Sequence, residues 1–151
     1  MRWHLLSHKY GATNCKIKAP ILEGAAIFNW EGVECPNWPI LIDTGSDRTI
    51  IPTTAPAFLG TSIITTDPKY SVSIISGDAV EVYPLVYVRI FHKDFGFLPV
   101  RAACAAQGHI LLGRDVLSQL LLIYDGKLSR FLIRPRRKLD RAVLGCLRRM
   151  F

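Results

Sequence analysis

A mostly β single domain with one short helix in its C-terminal half is the fold class this sequence predicts, on three observations. Short runs rich in β-branched and aromatic residues recur through the middle of the chain, each bounded by Gly, Pro, Asn or Asp. Several of these runs face each other across a turn signal. At 151 residues, half of them hydrophobic, the chain is long enough to bury one core and short for more than one domain.

The elements follow in order. APILEGAAIFNW and WPILIDTG flank the connection EGVECPN and suggest a hairpin. TIIP is a third strand, ended by Pro52. TTAPAFLGTS, broken by Pro56 and Gly60, holds a helical turn or two. YSVSIISGDAVEVYPLVYVRIF alternates on both sides of Ser76-Gly77-Asp78 and reads as a long hairpin with a glycine at its tip. GFLPVRAAC and HILLG are strands, and Asp115 to Leu120 is the best helical stretch of the body. LLIYDGKLSRFLI is two strands around Asp125-Gly126, a dipeptide that favours a type I′ turn because both central residues must accept positive φ. Beyond Pro135, Leu139, Val143, Cys146, Leu147 and Met150 recur at helical spacing, which suggests a basic amphipathic helix that Gly145 weakens.

Charge and cysteine placement narrow the function classes. The net charge of +7 is uneven: residues 134–151 hold seven Lys or Arg against one Asp, so the body before them is nearly neutral. The basic tail suits docking on the body, an anionic membrane surface or nucleic acid. Cys15, Cys35, Cys104 and Cys146 match neither a metal knuckle nor a dense disulfide framework, and read as free thiols in a reducing compartment. No apolar run approaches the roughly 18 residues of a membrane span, and the N-terminus has no sustained apolar stretch of the signal-peptide kind, so a cytoplasmic location is expected. His4, His8, His92 and His109 are scattered without ligand spacing, so neither metal nor cofactor is expected. The chain divides into an N-terminal arm (1–19), a folded body (20–133) and a basic tail (134–151).

One stretch carries chemistry. LIDTGSDRTIIP, residues 41–52, sets a carboxylate inside core-type strand. Asp43 follows Pro39, Ile40, Leu41 and Ile42 and precedes Thr44-Gly45-Ser46, so it leaves the strand on a tight turn that Gly45 permits. The carboxylate then stands at the lip of an apolar wall. An aspartate so placed can also do no more than cap its own backbone in an Asx turn.

LIDTGSDRTIIP resembles the active-site stretch of the aspartic peptidases, hydrophobic-hydrophobic-Asp-Thr/Ser-Gly-Ser/Ala followed by a short apolar strand. A second Asp-Thr-Gly or Asp-Ser-Gly is absent. The resemblance is therefore to the retropepsins, the retroviral proteases and their cellular and prokaryotic relatives, in which two copies of the chain each supply one aspartate. HILLGRDVLSQLLLIYDG is similar to the second retropepsin signature, with Leu111, Leu112, Gly113, Arg114, Asp115 and Leu117 filling it and Gln119 matching the viral form. The Ser76-Gly77 hairpin tip lies between the two motifs, where the family places its flap. The likeness covers roughly residues 20–133.

The resemblance implies a single-domain acid-protease β-barrel with a flap hairpin, acting as a homodimeric aspartic endopeptidase on extended, largely apolar peptide segments. Asp43 of each chain would be catalytic, Thr44 would bond across the two-fold axis, and Gly45 would offer its carbonyl to substrate. Ser46 would donate to the Asp43 carboxylate and make the pH optimum more acidic. Asp47 and Arg114 would form a buried, positional ion pair. Ile74, Ile75, Ser76, Gly77, Asp78 and Val80 would form the flap and cover substrate, with Asp78 departing from the apolar tips of viral enzymes. The arms before residue 20 and after 133 depart from the short viral termini, which leaves the mode of dimer closure open. Two rivals remain at this point: a silent dimeric peptide-binding or assembly module of the same fold, and a membrane- or nucleic-acid-associated protein driven by its tail.

Overall fold

A computed structural model of the chain describes residues 8–12, 18–59, 70–73, 79–137 and 140. In chain order the elements are β1 (His8–Lys9), β2 (Gly11–Ala12), β3 (Lys18–Ala19), β4 (Ile21–Phe28), β5 (Glu34–Ile42), β6 (Ile50–Pro52) and α1 (Thr54–Phe58). There follow β7 (Tyr70–Ser73), β8 (Ala79–His92), β9 (Gly96–Ala105), β10 (Ile110–Leu112), α2 (Arg114–Leu117), β11 (Leu120–Asp125) and β12 (Arg130–Pro135).

The main sheet runs β4-β5-β10-β6-β9-β8-β7, and β4 pairs back onto β8. Six strands thus close into a ring, and β7 hangs outside it on β8. Closure leaves no open edge within the ring, and the inward side chains meet in one core. Ile27, Ile40, Ile51, Ile90, Ile110 and Leu112 are all fully buried there. β9 shows the half-buried alternation the sequence predicts: Leu98, Val100 and Ala102 face in, while Phe97, Pro99 and Arg101 face out or lie at the surface.

One feature of the ring positions the site. β10 lies between β5 and β6, parallel to the first (Leu111↔Leu41) and antiparallel to the second (Leu111↔Ile50). The connection from β5 to β6, residues 43–49, must therefore arch over the end of β10. This stretch carries the Asp-Thr-Gly-Ser motif.

The β4–β5 and β11–β12 hairpins form where the sequence predicts them, β7 pairs with β8 from Tyr70↔Val82 to Ser73↔Ala79 as the predicted long hairpin requires, and β8 also pairs antiparallel with β9. The flap-tip residues Ile74, Ile75, Ser76, Gly77 and Asp78 lie outside the described residues, and Val80 is described only through its pairing with Val72. The tail helix also lies outside them, apart from Asp140, whose carboxylate accepts two bonds from the Arg134 guanidinium, at 2.6 and 2.7 Å.

Two local expectations are corrected. The helix spans Arg114–Leu117 rather than Asp115 to Leu120, because Leu120 is pulled into β11, paired with Pro135 and buried. Asp125-Gly126 does not form a type I′ turn. The loop is longer: Asp125 Oδ1 accepts the Leu128 N–H at 2.9 Å, and Ser129 takes the left-handed conformation with φ of 49°. An Asx-type bond at the start of the loop replaces the two positive-φ residues a tighter turn would need.

His8 and Lys9, within the segment before residue 20, are bound to the body. β1 pairs with β12 through His8↔Phe131, and His8 Nε2 lies 2.5 Å from the Asp94 carboxylate. Beneath it sits His92, buried, with Nε2–H donating to the Glu23 carbonyl at 3.1 Å and Nδ1 accepting the Asp94 N–H at 3.3 Å. Burial lowers the His92 pKa below its ordinary 6.5, helped by the charges of His8 and Lys93 and opposed by Asp94 and the Glu23 carbonyl. The unfolded chain then takes the proton first, so His92 costs no stability above that ordinary value and an increasing amount as pH falls below it. The urea midpoint is expected to drop between about pH 7 and pH 5, with a shallower drop in His92→Gln; equal slopes in the two proteins would contradict this.

Candidate active site

The arch over β10 is held from below by hydrogen bonds that cross roughly two-thirds of a hundred residues in sequence. Asp43 N–H donates to the Leu112 carbonyl at 3.1 Å, which extends the β5–β10 pairing by one residue. Arg114 N–H donates to the Ser46 carbonyl at 2.8 Å and Asp115 N–H to the Asp47 carbonyl at 3.3 Å. At the far end, Thr49 is fully buried. Its hydroxyl donates to Asp115 Oδ1 at 2.8 Å and accepts the Gly113 N–H at 3.1 Å, and its own N–H donates to Asp115 Oδ2 at 3.1 Å. Both Asp115 oxygens are therefore taken by one threonine, and Oδ1 also accepts the Val116 N–H at 2.9 Å at the start of α2.

Within this frame the turn presents its acid upward. Asp43 is half-buried, with Thr44 and Gly45 exposed beside it. Oδ1 accepts the Gly45 N–H at 2.8 Å, the Asx-type bond that the sequence leaves open as an alternative. Here it orients the carboxylate and leaves Oδ2 without a partner from its own loop.

Several expected contacts differ. The Ser46 hydroxyl donates to the Arg48 carbonyl at 2.8 Å, not to Asp43, because the turn directs it along the loop. Ser46→Ala should therefore leave the pH dependence of any Asp43-driven activity in place; a shift to a less acidic optimum would restore the direct contact. Asp47 and Arg114 do form an ion pair, but in the single chain it is exposed, at 81% and 60% of the side chains, rather than buried. Leu111 and Leu112 hold the end of β10 as strand residues, and Leu112 is fully buried.

Thr49 is a residue the sequence reading passed over. Its signal was a polar side chain opening an otherwise apolar strand, at the point where the Asp115 carboxylate meets the arch and takes donors from it. Thr49→Val would remove the hydroxyl bond to Asp115 Oδ1 and leave the Gly113 N–H without its acceptor, at a cost of about 1–3 kcal/mol in unfolding free energy by denaturant titration; a change of less than ~0.5 kcal/mol would mean that the threonine is not the brace.

A second such residue is Tyr124 on β11, whose phenol is pushed up to about 12 by burial first, with the charges of Tyr10 and Asp43 adding to it. Among other groups, Cys104 is buried and its thiol is raised to about 11, and burial lowers the His109 pKa, so neither forms an activated thiol pair. Among the described residues no group of three or more His, Cys, Asp or Glu side chains is placed to hold a metal ion, and no helix is long and apolar enough to cross a membrane.

The six-stranded ring and the Asp-Thr-Gly arch over an inserted strand define a mostly β, retropepsin-like barrel. Among solved structures, the chain is similar to a retropepsin-like aspartic protease from Rickettsia conorii, at a TM-score of 0.50 and 14% identity over 84% of this chain and 97% of that one. The EIAV protease complexed with the inhibitor HBY-793 matches at a TM-score of 0.47 and 22% identity over 72% of this chain and 92% of that one. No protein-family model and no curated protein matches the sequence.

Proposed function

We propose that the protein is a homodimeric aspartic endopeptidase in which Asp43 of each chain supplies half of the catalytic pair. The observation that carries this reading is the Asp43 turn itself: a half-buried carboxylate at an exposed lip, oriented by Gly45 N–H and tied through its backbone to β10. A carboxylate with a purely structural task would have both oxygens taken by donors, as Asp115 does. Asp43 is held in place and left open.

Two such carboxylates at hydrogen-bonding distance cannot both ionise cheaply, so the pair shares one proton and titrates as a unit. The ionised member takes a proton from a bound water, which attacks the peptide carbonyl. The protonated member hydrogen-bonds the oxyanion as it forms. Substrate would lie as an added strand beneath the β7–β8 hairpin, with Ile74, Ile75 and Val80 against its side chains and the Ser76-Gly77-Asp78 tip closing over it. Asp47 and Arg114, paired at the outer side of the arch, would fix the orientation of the Asp43 turn when the second chain shields them. The basic tail is assigned no part in the chemistry.

The test is cleavage of a peptide library between about pH 4 and pH 7 by the wild type and by Asp43→Asn. Cleavage by the wild type alone supports the reading. Equal cleavage by both removes the aspartic mechanism, and silence in both favours a dimeric peptide-binding module of the same fold.

A further inference from the structure

The outside of the barrel carries a face that takes no part in the proposed chemistry. On β8, Val88 and Ile90 are fully buried, so Tyr87, Arg89 and Phe91 point away from the core. On β9, Leu98 and Val100 face in, while Phe97, Pro99 and Arg101 face out or lie at the surface. The register sets these two triplets side by side, as Tyr87↔Arg101, Arg89↔Pro99 and Phe91↔Phe97. Phe28 of β4 joins them across β8, opposite Arg89.

These side chains form one connected surface. Phe97 packs against Phe91 at 4.8 Å between ring centroids and against Phe28 at 5.2 Å. The Arg89 guanidinium lies over the Phe97 ring at 5.4 Å and over Trp30, just after β4, at 5.6 Å, and its Nη2 donates to the Asn29 carbonyl at 3.1 Å. The Arg101 guanidinium lies over Tyr87 at 5.5 Å. Both cations are thus held in place before any partner arrives, so less rotamer freedom is lost on binding. The rings themselves stay open to solvent: Trp30, Tyr87 and Phe97 are 60%, 57% and 53% exposed. Single exposed aromatics are ordinary, but three on one face with two arginines mark a contact surface.

The make-up of the face selects its partner. Aromatic rings with arginine, and with no lysine or acid among the six outward residues of β8 and β9, match the core of a protein–protein contact. Two guanidiniums on a nearly neutral body are too few to track a phosphate backbone or to hold an anionic bilayer, both of which need a run of cations. A second copy seated on the same face would bring arginines toward arginines, and the chain's own tail carries the same sign of charge. Glu34, paired with Phe28, places an acid at the β5 side, so the positive strip is the one along β8 and β9. Its complement is a segment with carboxylates set between apolar side chains, an acid for each guanidinium and a ring or branched chain for Phe97 and Tyr87.

We propose that the outer face of β8 and β9, together with Trp30, is a docking surface for an acidic, aromatic-rich segment of another protein. The surface is independent of whether Asp43 cleaves anything.

Fluorescence anisotropy with the full Asp43→Asn chain, which keeps a bound peptide uncut under the proposed mechanism, tests it. The labelled probe repeats Asp-Ser-Phe-Ser-Asp-Ser-Leu-Ser, which in an extended chain sets carboxylates and apolar side chains on one face. One control replaces Asp by Lys, and another replaces Phe and Leu by Ser. The acidic, apolar peptide is expected to bind about tenfold more tightly than either control, and Trp30→Ala and Arg101→Glu should each weaken it by about tenfold or more. Leu128→Ala, at an exposed position between β11 and β12, should leave binding in place. Urea midpoints are expected to stay unchanged, and where Trp30→Ala lowers its own, the exposed Arg101→Glu decides. Absent binding, equal binding of the lysine peptide, or binding indifferent to these two substitutions overturns the proposal. So does a tighter complex with oligo(dT) or with phosphatidylserine vesicles that the same substitutions abolish, which would make the face a nucleic-acid or membrane contact. Cleavage of the peptide library by the wild type is a separate measurement, so loss of the docking surface leaves the peptidase reading standing, and the reverse.

Discussion

Gly113→Ala is expected to cost the chain a large share of its stability, although alanine is a better helix former and Gly113 only caps a short helix. The backbone there is ordinary, at φ −90° and ψ 178°, which alanine adopts without strain. Space is what it lacks. A Cβ at this position would sit inside van der Waals contact of the Arg48 carbonyl carbon and oxygen and 2.8 Å from Thr49 N. These are backbone atoms that cannot swing aside. Thr49 is pinned by Asp115, by the Gly113 N–H, and by its carbonyl accepting the Ala103 N–H at 3.0 Å. Relief requires lifting the whole arch off β10, at a cost of about 3–5 kcal/mol or more, a large share of the total for a domain of this size. A denaturant midpoint for Gly113→Ala equal to that of the wild type would show that the arch is looser than described.

The second large effect is on activity. Asp43→Asn keeps the shape of the turn, since an amide oxygen can still accept the Gly45 N–H, but removes the charge that the proposed mechanism needs. The expected loss is on the order of 10³-fold or more in kcat with folding intact. Mixing makes the experiment sharper. When wild-type and Asp43→Asn chains are co-refolded in equal amounts, random pairing leaves only about one quarter of the dimers with two aspartates. Activity should therefore follow the square of the wild-type fraction. A linear fall to one half would mean that each chain works alone, and would remove the shared-carboxylate mechanism while leaving an aspartate-dependent one.

Much of the fold was legible because it is written locally. Alternating apolar residues and turn formers specify the β4–β5 and β7–β8 hairpins within short windows, and the Asp-Thr-Gly stretch marks its own strand exit. Insertion of β10 between β5 and β6 was not legible in the same way, because periodicity does not say which distant strand is a neighbour. The reading erred where an atom had several partners within reach. The Ser46 hydroxyl took the Arg48 carbonyl over the Asp43 carboxylate, and Thr49, read as the start of a strand, proved to be the donor for Asp115. The Asp125-Gly126 turn was missed for a related reason, since Asp125 bonded three residues ahead and opened a longer loop.

The long-range bonds beneath the arch also impose an order in time. Asp43 and its turn are synthesised early, yet Leu112, Gly113, Arg114 and Asp115, which hold that turn in shape, emerge from the ribosome some 70 residues later. A nascent chain halted anywhere before them carries the acid without its support. Under the proposed peptidase function, this would postpone any Asp43-dependent activity until β10 and α2 have been made, with the delay set by the placement of β10 between β5 and β6.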